Sequence, residues 1–251
     1  MDYQLLEQKR DFEQAIDLEI GVWGLNPRDA TPANLMVALH HAGGATIGVY
    51  DGRRLVGVAF ALPARRGDRV ILWSHSTGIH RDYQGQGIGY QLKQHQREWA
   101  LSNGYDEIGW TFDPLQRGNA NFNLHRLRAY TDSYHINFYG VMQDEINQGE
   151  LPSDRLEAMW NLSTPEITCP AVNPVSLPYL LIDAGEPKVN LLDLTEPEIL
   201  VQIPRSIAAL PSADALMKWR LALRDALTTA FDSGYKAVDF TNENAYLLRR
   251  A

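Results

Sequence analysis

One cysteine, Cys169, is all that the 251 residues contain, so no internal disulfide can form and no cysteine-cluster metal site is available. It stands in Thr168-Cys169-Pro170 without a recognisable partner for nucleophilic chemistry and reads as an incidental thiol. The chain also lacks any apolar run of the about 18 residues that would span a bilayer, and no membrane association is expected. Its start, Met1-Asp2-Tyr3-Gln4, is polar and acidic where a secretory leader would be positive. A cytoplasmic protein is the expectation. A surplus of positive charge is missing too: the net charge is −8, which disfavours nucleic acid as a partner.

What remains is the composition of a soluble globular protein, 45% hydrophobic and 22% charged, long enough for one large domain or two small ones. The charge is uneven. Between residues 65 and 128 there are nine Lys or Arg against six Asp or Glu, a local positive balance that suits an anionic ligand.

Periodicity orders the first half. Residues 9–23 read as a helix with Phe12, Ile16, Glu19 and Trp23 on one face and an end at Gly24. Thr31-Pro32 reads as an N-cap followed by proline at the first helical position, with Leu35, Met36 and Leu39 as the apolar face and Gly43-Gly44 as the stop. His40-His41 close this helix near its negative end. Asp51-Gly52 between two β-branched runs is a hairpin signal, and Arg65-Arg66-Gly67-Asp68 is the next turn. A short strand near Tyr3–Leu6 is expected to come first.

The most informative stretch is Ile79-His80-Arg81-Asp82-Tyr83-Gln84-Gly85-Gln86-Gly87-Ile88-Gly89. It joins a strand over 70–79 to a helix over 88–103 through three alternate glycines, and a second strand, Glu107–Phe112, follows. Glycines let the backbone approach a phosphate, while the unpaired N–H groups and the positive dipole end of the helix face the negative charge. A P-loop is excluded because Tyr90-Gln91, and not Lys-Ser or Lys-Thr, follows the last glycine; Gly-x-Gly-x-x-Gly is not matched either.

Gln84-x-x-Gly87-x-Gly89, in this strand–loop–helix–strand setting, resembles the coenzyme A pyrophosphate loop of the GNAT superfamily of N-acyltransferases. The likeness covers residues 1 to about 145. It implies an α+β fold with a mixed, mostly antiparallel sheet flanked by helices. It also implies acetyl-CoA or another acyl-CoA as co-substrate, with Gln84, Gly85, Gln86, Gly87, Ile88 and Gly89 on the pyrophosphate. The backbone of Thr77 and Ile79 would then pair with the pantetheine arm. The run His75–Arg81 is similar to the catalytic strand of arylalkylamine N-acetyltransferases, which implies that His75 accepts the amine proton through water, with a structural histidine hydrogen-bonded beneath the cofactor as the alternative; alternation would place Trp73, His75, Thr77 and Ile79 on one face. The family's next helix usually carries an asparagine and, further on, a tyrosine that protonates the leaving thiolate. Here Asn119-Ala120-Asn121-Phe122-Asn123-Leu124-His125 puts Leu124 where the tyrosine should stand. His125, Tyr134 and Tyr139 become the candidates for the general acid, Tyr139 with the alternative of an aromatic packed on the sheet. Asn119 and Asn123 either reach the pantetheine amides or cap the helix.

Other polar residues read as structural. His95 lies in the apolar stripe Ile88, Leu92, His95, Trp99 and is expected to be a satisfied core histidine. Asp113-Pro114 reads as a turn, with recognition of an amine as the alternative. No metal site is expected, since the histidine pairs 75/80 and 125/135 lack companion ligands.

The expected domains are a GNAT-like acyl-CoA-binding domain over 1–145, a connecting segment over 146–176 and a smaller C-terminal α+β domain over 177–251. The last has strands at 177–183, 189–194, 198–203, 236–240 and 245–248 and a helix over 212–233. Ser233-Gly234-Tyr235 after that helix echoes Asn103-Gly104-Tyr105 after the earlier one, either as a degenerate GNAT-like half or as a chance likeness. Trp110–Pro114 and Asn137–Gly140 also resemble stretches recurrent in a group of GNAT-related proteins with a C-terminal extension. The resemblance implies an N-acyltransferase acting on a primary amine of a small molecule, an amino acid included. The alternatives are an acyl-CoA-binding regulator without turnover and a protein lysine or N-terminal acetyltransferase. The C-terminal unit would close a groove, supply an acceptor pocket or form a homodimer interface.

Overall fold

A computed structural model describes residues 1–140, 151–163, 177–190 and 194–250. Cys169 and part of the strand expected over 189–194 lie outside them. The described residues form two compact units, Met1–Trp110 with Asn161–Ser163, and 111–140 with 151–160, 177–190 and 194–250.

The first unit follows the expected order: β1 (Asp2–Leu5), α1 (Lys9–Trp23), α2 (Ala33–His41), β2 (Ala45–Asp51), β3 (Arg54–Arg66), β4 (Arg69–Ile79), α3 (Ile88–Ser102) and β5 (Glu107–Phe112). Gly24, at φ 65°, ends α1 by donating its N–H to Ile20 O. Pro32 itself is the N-cap of α2, one residue later than the sequence signal suggests. Gly52 and Gly67 turn the meander. Strands β1 to β4 pair antiparallel in sequence order, and β5 joins β4 in parallel, as the crossover through α3 allows.

Two apolar layers hold this sheet. On one face Phe12, Ala15 and Leu18 of α1 and Met36 of α2 meet Leu55, Val58 and Phe60 of β3. On the other, Ile88 and Leu92 of α3 meet Ile47 and Val49 of β2 and Val56 and Ala59 of β3. Each fully buried aliphatic side chain stabilises by about 1.5–3 kcal/mol relative to exposure.

The decisive feature is where the β4–β5 pairing stops. The ladder consists of Leu72↔Ile108 and Trp73↔Gly109, while β4 runs on to Ile79. His75 to Ile79 therefore have no β5 residue paired with them.

In the second unit α4 (Arg117–Ala120) leads into a π-helical turn, Asn121–Arg126. Then come β6 (Tyr134–His135) and β7 (Arg155–Asn161), which pair antiparallel; β7 lies within the stretch expected to be a connecting segment. The C-terminal elements are β8 (Tyr179–Asp183), β9 (Pro187–Val189), β10 (Glu198–Gln202), α5 (Ala213–Asp232), β11 (Tyr235–Phe240) and β12 (Ala245–Arg250). Their sheet has the order β11-β12-β10-β8-β9. The two helix–Gly–Tyr–strand junctions are alike, with Gly104 at φ 80° and Gly234 at φ 85°. The sheet order after them differs: β5 pairs with the strand that precedes its helix, whereas β12 separates β11 from β10. Among the described residues no helix is long and apolar enough to cross a membrane.

Candidate functional site

The glycine loop is exposed, with Gly85 and Gly87 at φ 76° and 81°, left-handed values that a side chain would strain. Nothing lies within 4 Å of where a Cβ would project at either position, so the concave side is open. The N–H groups of Gly85, Gln86, Gly87, Ile88 and Gly89 donate to no backbone carbonyl among the described residues. That is a row of donors at the positive end of a 15-residue helix. The side chains of Gln84 and Gln86 face inward instead: Gln84 Nε2 donates to Ile79 O at 3.0 Å and Gln86 Nε2 to Asp82 O at 3.1 Å. Both brace the loop, leaving the backbone to meet a ligand. These groups fit a pyrophosphate.

Strand β4 brings a second element beside the loop. Phe60 pairs with Ser76 and Ala61 with Ser74, so His75 is an extra residue in β4, a β-bulge. The expected alternation breaks there. Cross-strand partners share a face: Trp73 sits opposite Leu62 and Ser76 opposite Phe60, on the α1 and α2 side. Thr77 sits opposite Ala59 and Ile79 opposite Gly57, on the α3 side. His75 packs its ring edge-on to Phe60 at 5.9 Å. Thus Trp73 and His75 do not share a face with Thr77 and Ile79, because the bulge reverses every side chain after it. The same bulge turns the consecutive residues His75 and Ser76 to one face. Desolvation holds the His75 pKa below the ordinary histidine value, so the imidazole is neutral near pH 7 and able to accept a proton.

Opposite Ser76, on α1, lies Glu19, a carboxylate at a core position that accepts a hydrogen bond from Ser76 Oγ. Burial raises its pKa, and the serine hydrogen bond partly offsets that. Close approach of α1 to β4 depends on Gly78, where a Cβ would come 3.1 Å from Trp23.

Residues 10–127 match the model of the acetyltransferase (GNAT) family. That stretch is identified as a GNAT acetyltransferase domain. Solved structures agree in fold. A protein from Streptococcus mutans UA159, smu.2055, is 16% identical, with a TM-score of 0.51 over 64% of this chain and 99% of its own. Aminoglycoside 6'-acetyltransferase type Ii is 15% identical, with a TM-score of 0.51 over 66% and 99%. The yncA protein of Salmonella typhimurium, solved with its cofactor acetyl-CoA, is 16% identical, with a TM-score of 0.50 over 67% and 96%. No curated protein sequence matches the chain.

On the α3 side of this sheet lies a buried lysine that the apolar stripe did not announce. Lys93, 3% exposed, donates to Ser74 Oγ at 2.8 Å and to Gln96 Oε1 at 2.9 Å, with its ammonium 4.3 Å from the Trp110 ring centroid. The buried face of α3 is Ile88, Leu92, Lys93, Gln96 and Ala100. His95 is not in the core: its ring stacks on Tyr3 at 4.3 Å with 41% of its side chain exposed. Desolvation lowers the Lys93 pKa to about 7. The native state then binds fewer protons than the unfolded one above that value. Stability rises with pH through the window up to the ordinary lysine value, and is lost as pH falls through about 7. Lys93→Met should flatten that rise, read as the difference in unfolding midpoint between about pH 6 and about pH 9. An unchanged slope would show that Lys93 does not titrate there.

The remaining candidates belong to the second unit. Leu124 is fully buried. Asn119 is exposed and Asn123 buried, and neither caps α4, whose N-cap is Gln116. His125 holds Asp239 through Nδ1 at 2.9 Å, with Arg128 on the other carboxylate oxygen at 3.2 Å. Tyr139 is 44% exposed in a turn, its hydroxyl 3.1 Å from Thr111 Oγ1 and its ring centroid 5.3 Å from the Arg155 guanidinium, both residues of sheet strands. Tyr134 donates to the buried Asp154 at 2.7 Å, and burial with that carboxylate pushes its pKa far up, so it is a poor proton donor. Asp113 is not free to recognise an amine: Arg220 of α5 clamps both its oxygens at 2.7 and 2.9 Å. Removing one partner of such a buried pair typically costs about 3–5 kcal/mol.

Proposed function

We propose that the protein is an acyl-CoA-dependent N-acyltransferase that transfers an acetyl or other short acyl group to a primary amine of a small molecule by direct attack. One observation carries the reading: consecutive donors Gly85 to Gly89 lie without backbone partners at the head of α3, beside the part of β4 that β5 leaves unpaired. The pyrophosphate would lie on those donors, and the pantetheine amides along the backbone of Thr77 and the N–H of Ile79, whose carbonyl already accepts from Gln84. That yncA was solved with acetyl-CoA supports the same co-substrate here.

A thioester carbonyl yields to an amine only in its neutral form, and α-amino groups and lysine-type amines have pKa values of about 8 and about 10. His75, neutral and on the unpaired part of β4, takes the proton. A β4 backbone N–H polarises the carbonyl as its oxygen gains charge. With Leu124 buried, the proton for the leaving thiolate comes from another donor, for which the exposed Tyr139 and His125 are the candidates; Asn119 and Asn123 are the candidates to reach the pantetheine amides. The buried leucine also favours a second reading, an acyl-CoA-binding regulator without turnover.

A screen of amines and amino acids against several acyl-CoAs, read as free thiol, separates these. Thiol release with small primary amines is expected. Release confined to peptide lysines or N-termini would make it a protein acetyltransferase, and CoA binding without release from any acceptor would make it the regulator.

A further inference from the structure

The acyltransferase reading uses His75 and the loop, but it leaves the carboxylate behind them without a role. Glu19 is 3% exposed. Among the described residues no lysine, arginine or histidine nitrogen lies within 4.0 Å of it. An uncompensated charge in such a place is disfavoured, and burial accordingly raises its pKa. Its polar contact is the hydroxyl of Ser76, which is only partly buried and stands next to His75 on the same face. A serine has a single O–H. With Glu19 ionised, as the role of counter-charge requires, that hydrogen is spent on its carboxylate, the side of Oγ turned away from Glu19 offers only lone pairs, and a ligand there has to be a donor.

We propose that Ser76, held by Glu19, is the acceptor-recognition site of the enzyme. The Ser76 oxygen accepts a hydrogen bond from a protonated primary amine, and the Glu19 carboxylate behind it supplies the missing counter-charge. The acceptors selected are alkylammonium compounds, not neutral aromatic amines. Glu19 is a positioning residue acting through Ser76, and the bulge sets the held nitrogen next to His75, which then takes its proton. The inference rests on the acyltransferase reading and names the class of its acceptor.

Glu19→Gln tests it, since the amide oxygen still accepts the Ser76 hydrogen bond and only the charge is lost. With propylamine and benzylamine as probes, the KM for the amine should rise at least about tenfold, the scale of a hydrogen bond to a charged group, while kcat and the KM for acetyl-CoA stay within about twofold. Ser76→Ala should raise the same KM. With aniline, which is neutral at pH 7, Glu19→Gln should change little. Unfolding midpoints no lower than wild type would exclude a folding defect, because removing a buried unpaired charge does not destabilise. An unchanged KM for both alkylamines, or an equal rise with aniline, would overturn the recognition site while leaving the acyltransferase intact. No thiol release from the wild-type protein with any amine would overturn both.

Discussion

His75→Gln should lower turnover at neutral pH by at least about tenfold, within the about 10²–10⁴ that general-base assistance contributes. Glutamine keeps the approximate size and polarity of the side chain but cannot take a proton near pH 7. The imidazole it replaces is kept neutral there, because desolvation disfavours the imidazolium. The direction of the pH dependence follows. As pH rises toward the pKa of the acceptor, free amine forms unaided and the variant should approach wild type. CoA affinity should barely move, since the loop donors are the backbone of residues 85–89. Rates compared from about pH 6.5 to about pH 9.5 check this. Equal rates across that range in a folded variant would make His75 structural and return the search for a base to His125 and ordered water.

The parts of the site that the sequence displays are those built from neighbours in the chain. Glycine spacing, the β-branched run before it and the amphipathic stretch after it are local signals, and the loop, β4, α3 and β5 occur where these put them. The face carrying His75 was hidden, because a bulge is a property of two strands: His75 is an extra residue only relative to Phe60 and Ala61. Glu19 was visible as a carboxylate in the stripe with Phe12 and Ile16, and a charged residue at a core position is the signal that could have marked it. Lys93 gave less warning, since it lies one place from the expected stripe and is buried against Ser74 of β4 and Trp110 of β5. Asp113 is furthest from any local rule. Its partner Arg220 stands 107 positions away, and nothing near Asp113-Pro114 announces that the carboxylate is already paired.

The loss of coenzyme A on closing the glycine cradle should be the largest effect of all. Gly87 has a positive φ and open space where a side chain would project, so Gly87→Glu places a carboxylate where the pyrophosphate must lie. Repulsion between two charges about 4 Å apart is worth about 4 kcal/mol at an effective dielectric of about 20, and affinity should fall at least about a hundredfold. Gly87→Asn separates charge from backbone strain, because asparagine tolerates the left-handed region and adds no charge; it should keep binding within about tenfold of wild type. Calorimetric titration of CoA into the three proteins is the most direct measurement. Saturable binding by wild type and by Gly87→Asn, abolished in a folded Gly87→Glu, is the expected result. Equal affinity in wild type and Gly87→Glu, or no binding by the wild-type protein, would contradict an acyl-CoA site at this loop.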